Sequence, residues 1–173
     1  MDLQLKDKKV VITGGAKGIG AAVVKSFAAE GAIPIILGRN PQEAKDLISE
    51  IGTGHSYHVE LTELDEIQNT ANKISTEIGP IDILINNAGV NDGASIENGP
   101  STFVHSLEKN LIHPFALLHH FLNDLKSTKG NVINIGSKVA VTGQGGTSGY
   151  AASKGGINAL TREWALDLAQ YEI

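Results

Sequence analysis

Tyr150 and Lys154 stand four residues apart in Tyr150-Ala151-Ala152-Ser153-Lys154. On a helix both side chains project from one face, one turn apart. A phenol with its ordinary pKa of about 10 exchanges a proton poorly near neutrality. A neighbouring ammonium favours the ionised form, so the pair suits removal of a proton from an alcohol or its return to a carbonyl oxygen. Ser137 follows the apolar run Asn131–Ile135 and is placed to hydrogen-bond the same oxygen. Tyr-x-x-x-Lys also arises from ordinary helix spacing as a surface tyrosine beside a lysine. Its weight therefore comes from what accompanies it.

A second candidate lies near the N-terminus, in Thr13-Gly14-Gly15-Ala16-Lys17-Gly18-Ile19-Gly20. Glycine lets backbone approach a diphosphate, and a helix starting at about Ile19 offers free N–H groups and a favourable dipole. The spacing Gly14-x3-Gly18-x-Gly20 is neither the common G-x-G-x-x-G nor a P-loop. A tight strand-to-helix turn without ligand has the same glycine needs. Further on, Leu37-Gly38-Arg39-Asn40 has no carboxylate where one would bind the adenosine ribose of NAD. Arg39, with Lys17 from the glycine turn, suits a 2′-phosphate instead, which favours NADP with NAD still open. Read singly, each is an ordinary solvated charge.

The elements that would carry these residues alternate. Apolar, unalternating strands are expected at Lys9–Thr13, Ile33–Leu37, Asp82–Ile85 and Asn131–Ile135, with a weaker one at Ser56–Val59. Helices are expected over Ile19–Glu30, Pro41–Ile51, Glu63–Ile78, Ser101–Lys126 (which has to accommodate Pro114) and Tyr150–Gln170. The reading is an α/β fold, a doubly wound parallel sheet of Rossmann type in three αβα layers, forming one domain over residues 1–173.

Composition narrows the function. A formal charge of -5 without a basic block argues against nucleic acid as a partner. The absence of cysteine excludes disulfides, thiolate catalysis and Cys-based zinc. Four histidines, at 105, 113, 119 and 120, lack the shared-face spacing of helical metal ligands, so no metal is expected and helix packing or surface roles are. No apolar run suits a signal peptide or a membrane span, and a soluble cytoplasmic protein is the default expectation.

Taken together, Thr-Gly-x-x-x-Gly-x-Gly at 13–20, Asn-Asn-Ala-Gly at 86–89, Asn110, Ser137 and Tyr150-x-x-x-Lys154 resemble the short-chain dehydrogenase/reductase family, in order and along the whole chain. The resemblance implies Tyr150 as acid/base, Ser137 as substrate-oxygen anchor, and Lys154 bound to the nicotinamide ribose. It implies Asn110 as holder of a water in a proton relay, and Asn87, Ala88 and Gly89 as lining of the cofactor cleft. Glu60 and Leu61 would border adenine, where the family usually has Asp in place of Glu60. The polar segment Gly143–Gly149, with Asn91 and Asp92, suits a hydroxylated substrate, and the local sequence is similar to sugar dehydrogenases of the family. The substrate is thus expected to be a small carbonyl or alcohol, and the assembly a homodimer or homotetramer through the two long helices.

Family members usually continue beyond the helix carrying the tyrosine with further strands and a substrate-covering segment. Ile173 follows that helix closely, so the domain is expected to be C-terminally incomplete, without its usual last strands. Two other functions remain open on sequence: a nucleotide-binding sensor or interaction protein without turnover, and a scaffold that binds no nucleotide.

Overall fold

Val10, Val11 and Ile12 are consecutive apolar residues, the pattern of a strand covered on both faces. In the computed structural model, which describes residues 1–173, they are fully buried at the centre of a five-stranded parallel sheet. The strands are β1 (Lys9–Thr13), β2 (Ile33–Gly38), β3 (His55–His58), β4 (Ile83–Asn86) and β5 (Asn131–Asn134). Their spatial order is β3-β2-β1-β4-β5, so the chain winds outward from β1 in one direction and then returns to build the other half. In such sheets the crevice between β1 and β4, beyond their C-terminal ends, is the usual ligand position.

Alternate residues of each strand face opposite layers. Val11, Ile35, Leu37 and Leu84 pack with α3 (Leu64–Glu77), α5 (His113–Thr128) and the end of α7 (Ser148–Ala169). Val10, Ile12, Ile36 and Ile85 pack with α1 (Gly18–Ala29) and α2 (Pro41–Ile51). α2 has the boundaries its punctuation predicts. Asn40 Oδ1 accepts from the backbone N–H groups of Gln42 and Glu43, Pro41 occupies the first turn, and Gly52 ends the helix at φ 76°.

The single helix expected over Ser101–Lys126 is broken. α4 (Gly99–Leu107) leads into a π-turn at Glu108–Ile112 and then into α5. Pro114 has no N–H to donate to the Asn110 carbonyl four residues earlier, and the wider turn accommodates that missing bond at a point where a straight α-helix cannot. Two short elements had no sequence signal: a 3-10 turn at Ile96–Asn98 and α6 (Val139–Thr142). β5 forms the outer edge of the sheet within these residues. No helix is long and apolar enough to cross a membrane.

Phe121 on α5 is the largest fully buried side chain and belongs to the larger core. Phe121→Ala is expected to lower the unfolding free energy by about 3–5 kcal/mol. Urea denaturation measures this, and a loss below about 1 kcal/mol would mean that α5 does not seat on the sheet through this residue.

Candidate active site

The C-terminal ends of β1 and β4 leave backbone donors with no ladder partner, and Thr13 supplies the missing acceptor. Its buried Oγ1 accepts from the N–H of Asn87 at 3.0 Å and of Ala88 at 2.9 Å. In return Asn87 Nδ2 donates to the carbonyls of Thr13 at 2.9 Å and Gly14 at 3.3 Å. The glycine turn and the Asn-Asn-Ala-Gly turn are thereby locked side by side. Gly20 is required for this closeness, since a Cβ there would press into the Gly14 carbonyl and the Asn87 amide.

Beyond the lock, the start of α1 is open. Lys17 stands at its N-cap with no side-chain cap bond, and the first turn holds no acid. Gly14 and Gly18 have φ of 63° and 52°, and a Cβ on Gly18 or on Gly38 would meet nothing within 4 Å. Free N–H groups, an unopposed helix dipole and open space are what an anionic diphosphate needs, so the residues fit a dinucleotide at this end. Ile19 is exposed in the first turn beside this space.

The second half of the cleft is built outward from Gly89. Asn110, buried in the π-turn, accepts from Val90 N at 2.7 Å through Oδ1 and donates through Nδ2 to Ser106 O at 2.9 Å. A Cβ on Gly89 would lie 3.0 Å from Asn110 Oδ1 and 3.5 Å from Lys154 Nζ, so the three positions enclose one small space. Lys154 is only 4% exposed and donates to the Ile135 carbonyl at 2.7 Å, tying α7 to the end of β5. Burial pushes its ammonium below the usual lysine range. Its Nζ lies 5.8 Å from the centre of the Tyr150 ring, and the half-buried Tyr150 hydroxyl makes no hydrogen bond within the chain. Ser137 Oγ accepts from Val139 N at 3.3 Å at the entry to α6, which packs on α7.

The outer residues are arranged differently. The Lys17 side chain is 73% exposed and pairs with Glu43 at 2.5 Å. Arg39 is 77% exposed, with Glu60 at 3.8 Å. Leu61 packs partly buried against the larger core. Asp92, read as a substrate contact, is occupied instead: it accepts from Ser106 Oγ at 2.8 Å and lies 3.7 Å from Lys109 Nζ. The reason is that Ser106 is fully buried beside Gly149, and its hydroxyl needs an acceptor.

Two residues of this region were not singled out for it on sequence. Thr13 opens the glycine motif but its acceptor duty needs β4 alongside. His113, read with the other histidines as surface or helix packing, is fully buried in the first turn of α5. Its Nε2 is 3.1 Å from the Lys109 carbonyl, which makes Nε2 the protonated nitrogen, and its Nδ1 has no partner. Burial chiefly, and also the charge of Lys154, push its pKa down to about 4 against the bond to Lys109. Nothing in the local sequence marks it, because its burial comes from the packing around the first turn of α5. No group of three or more His, Cys, Asp or Glu side chains is gathered for a metal.

This arrangement matches known proteins along nearly the whole chain. The short chain dehydrogenase family profile matches residues 8–173, and the chain belongs to that family. Among its relatives, a 2-dehydro-3-deoxy-D-gluconate 5-dehydrogenase of Formosa agariphila is 34% identical over 178 residues, covering 98% of this chain and 67% of the relative. An L-fucose dehydrogenase of Rattus norvegicus is 32% identical over 168 residues, covering 96% of this chain. The chain spans only 62% of that enzyme's length. The crystal structure of Cj0485 dehydrogenase superimposes with a TM-score of 0.93 at 38% identity, covering 99% of this chain and 67% of that one. A metagenomic short-chain oxidoreductase in complex with NADP gives 0.91 at 29% identity, covering 96% and 79%.

Thr13→Val keeps the shape and removes the acceptor, leaving two donors unpaired where the turns meet. The expected loss is about 2–3 kcal/mol of unfolding free energy in urea; an unchanged midpoint would show that the lock carries no stability. His113 gives a pH signature. The unfolded chain protonates it near 6.5 and the folded chain only near 4, so its contribution is intact above 6.5 and is lost as pH falls towards 4. Between pH 7 and pH 5 the wild type should lose roughly 1–2 kcal/mol more than His113→Gln does. Equal losses in the two proteins would contradict a buried neutral imidazole.

Proposed function

We propose that this chain is the cofactor-binding and catalytic part of an oxidoreductase acting between NADP(H) and a carbonyl or secondary alcohol, with a sugar or other polyol as substrate. The observation that carries the reading is the enclosure formed by Gly89, Asn110 and Lys154, with the unbonded Tyr150 hydroxyl one turn away. It is supported by the open start of α1, and by relatives whose names are sugar-acid and sugar dehydrogenases.

NADP(H) supplies or accepts the hydride when bound. The chain does the rest. Gly14, Gly18, Ile19 and Gly20 hold the diphosphate on the α1 N-terminus, and Lys17 and Arg39 hold the 2′-phosphate. Asn87, Ala88 and Gly89 line the cleft, and Glu60 and Leu61 border the adenine. Ser137 hydrogen-bonds the substrate oxygen, and Tyr150 takes or gives its proton. Lys154, anchored on Ile135, brings positive charge beside the phenol and reaches the nicotinamide ribose. Asn110 orients the water that connects Lys154 to solvent. Association into a dimer or tetramer through α4, α5 and α7 is supported by the exposed Val104, Phe115 and Leu166 on those helices.

Tyr150→Phe tests the proton role, because it removes one oxygen and leaves the cleft unchanged. Turnover of sugar alcohols or ketones by the variant should fall at least about a thousandfold, while NADPH binding, read by cofactor fluorescence, stays within about twofold. Retained turnover would remove Tyr150 from the chemistry. NADPH binding with no turnover in the wild-type chain, across such substrates, would favour the sensor reading.

A further inference from the structure

Both cations assigned to the 2′-phosphate already have a carboxylate. Lys17 Nζ meets Glu43 Oε1 at 2.5 Å, and Arg39 lies 3.8 Å from Glu60 Oε2. The two acids are held in different ways. Glu60 stays by its own backbone, with Oε1 accepting from Thr62 N at 3.4 Å, and its contact to Arg39 is long. Glu43 sits in the first turn of α2, four residues after Arg39, where a carboxylate is favoured by the helix dipole. It draws the Lys17 ammonium across from the glycine turn to the first turn of α2. An added Cβ on Gly18, next to Lys17, or on Gly38, next to Arg39, would meet nothing within 4 Å. A 2′-phosphate placed between Lys17 and Arg39 therefore arrives where one of the two ammonium and guanidinium charges is in close contact with a competing anion.

We propose that Glu43 is a specificity-determining residue for the cofactor: its carboxylate occupies Lys17 in the cofactor-free protein, and the 2′-phosphate has to displace it. This rests on the assignment of Lys17 and Arg39 to the 2′-phosphate. The consequence is a smaller preference for NADPH over NADH than two free cations would give. NADH, with a hydroxyl at that position, leaves the Lys17–Glu43 pair in place. The pair is exposed, so the effect is moderate and falls as salt rises.

Binding of NADPH and NADH to the 173-residue chain by titration calorimetry at low and high salt tests this, with adenosine 2′,5′-bisphosphate and 5′-AMP as probes confined to the β1–β3 half. Glu43→Gln is expected to tighten NADPH and the bisphosphate about two- to fivefold at low salt and to leave NADH and 5′-AMP unchanged. The gain should vanish in the Lys17→Ala background. Thermal unfolding confirms that each variant is folded. An unchanged NADPH affinity in Glu43→Gln, with Lys17→Ala weakening it, overturns the proposal and leaves the phosphate assignment standing. A gain that persists without Lys17 also overturns it, since Glu43 would then act as a repelling charge and not as the partner of Lys17. Lys17→Ala with unaltered NADPH affinity overturns the assignment itself. Failure of the wild-type chain to bind any of the four ligands overturns both.

Discussion

A parallel sheet must do something with the backbone donors that emerge at the ends of its central strands, and in this protein the Thr13 hydroxyl takes two of them. The rest of the cleft hangs from that contact. It holds Asn87 and Ala88 against the glycine turn, with Gly89 and Val90 following directly beyond the C-terminal end of β4. Val90 N then fixes Asn110, and the space shared by Asn110, Gly89 and Lys154 aligns α7, whose lysine closes the path on the Ile135 carbonyl at the end of β5. Each hydrogen bond in this series joins a side chain to a main-chain atom. Such a chain of contacts survives extensive replacement of other residues, because backbone N–H and C=O are present whatever the side chain. The superposition on Cj0485 dehydrogenase at TM-score 0.93, with 38% of residues identical, is consistent with that tolerance.

The sheet was legible because its strands are short apolar runs and its helices are punctuated. Pro41 and Gly52 bound α2 where the sequence says they should, since a fixed φ at the start and a left-handed residue at the end act locally. The π-turn was not legible. Its cause, Pro114, was visible, but whether a proline kinks, ends or widens a helix depends on what packs around it, and here the π-turn packs on α7, which begins only at Ser148. For the same reason α6, at four residues, carries no periodic signal of its own.

The candidate site divides along the same line. Residue types and spacing pointed to Tyr150, Lys154 and Ser137, because proton chemistry needs few side chains in few arrangements, whereas Asn110 entered only through the family resemblance. Long-range partners stayed hidden. Lys17 and Glu43 are 26 positions apart, and nothing local distinguishes a lysine that meets an acid from one that meets water. Asp92 looked like a free polar group near a substrate, and only the burial of Ser106 explains why it is taken. His113 was weighed as one of four histidines against metal spacing, when what sets it apart is its complete burial and its bond to the Lys109 carbonyl.

These differences make the two ends of the cleft unequal in how freely they can change. Lys154 is desolvated, has a short bond to a carbonyl, and sits where an added methyl on Gly89 would crowd it. Moving it would leave a buried charge without its partner, a loss on the order of several kcal/mol that no single compensating contact recovers. Lys17, Arg39, Glu43 and Glu60 lie in or close to water, where each pairing is worth about 1 kcal/mol or less and rearranges without disturbing the core. A fold built in this way can hold the Lys154 end of the cleft fixed while the charges at the rim change by small steps. The rigid end is tied to the sheet by main-chain contacts, whereas the adjustable end depends on side chains that the sheet does not constrain.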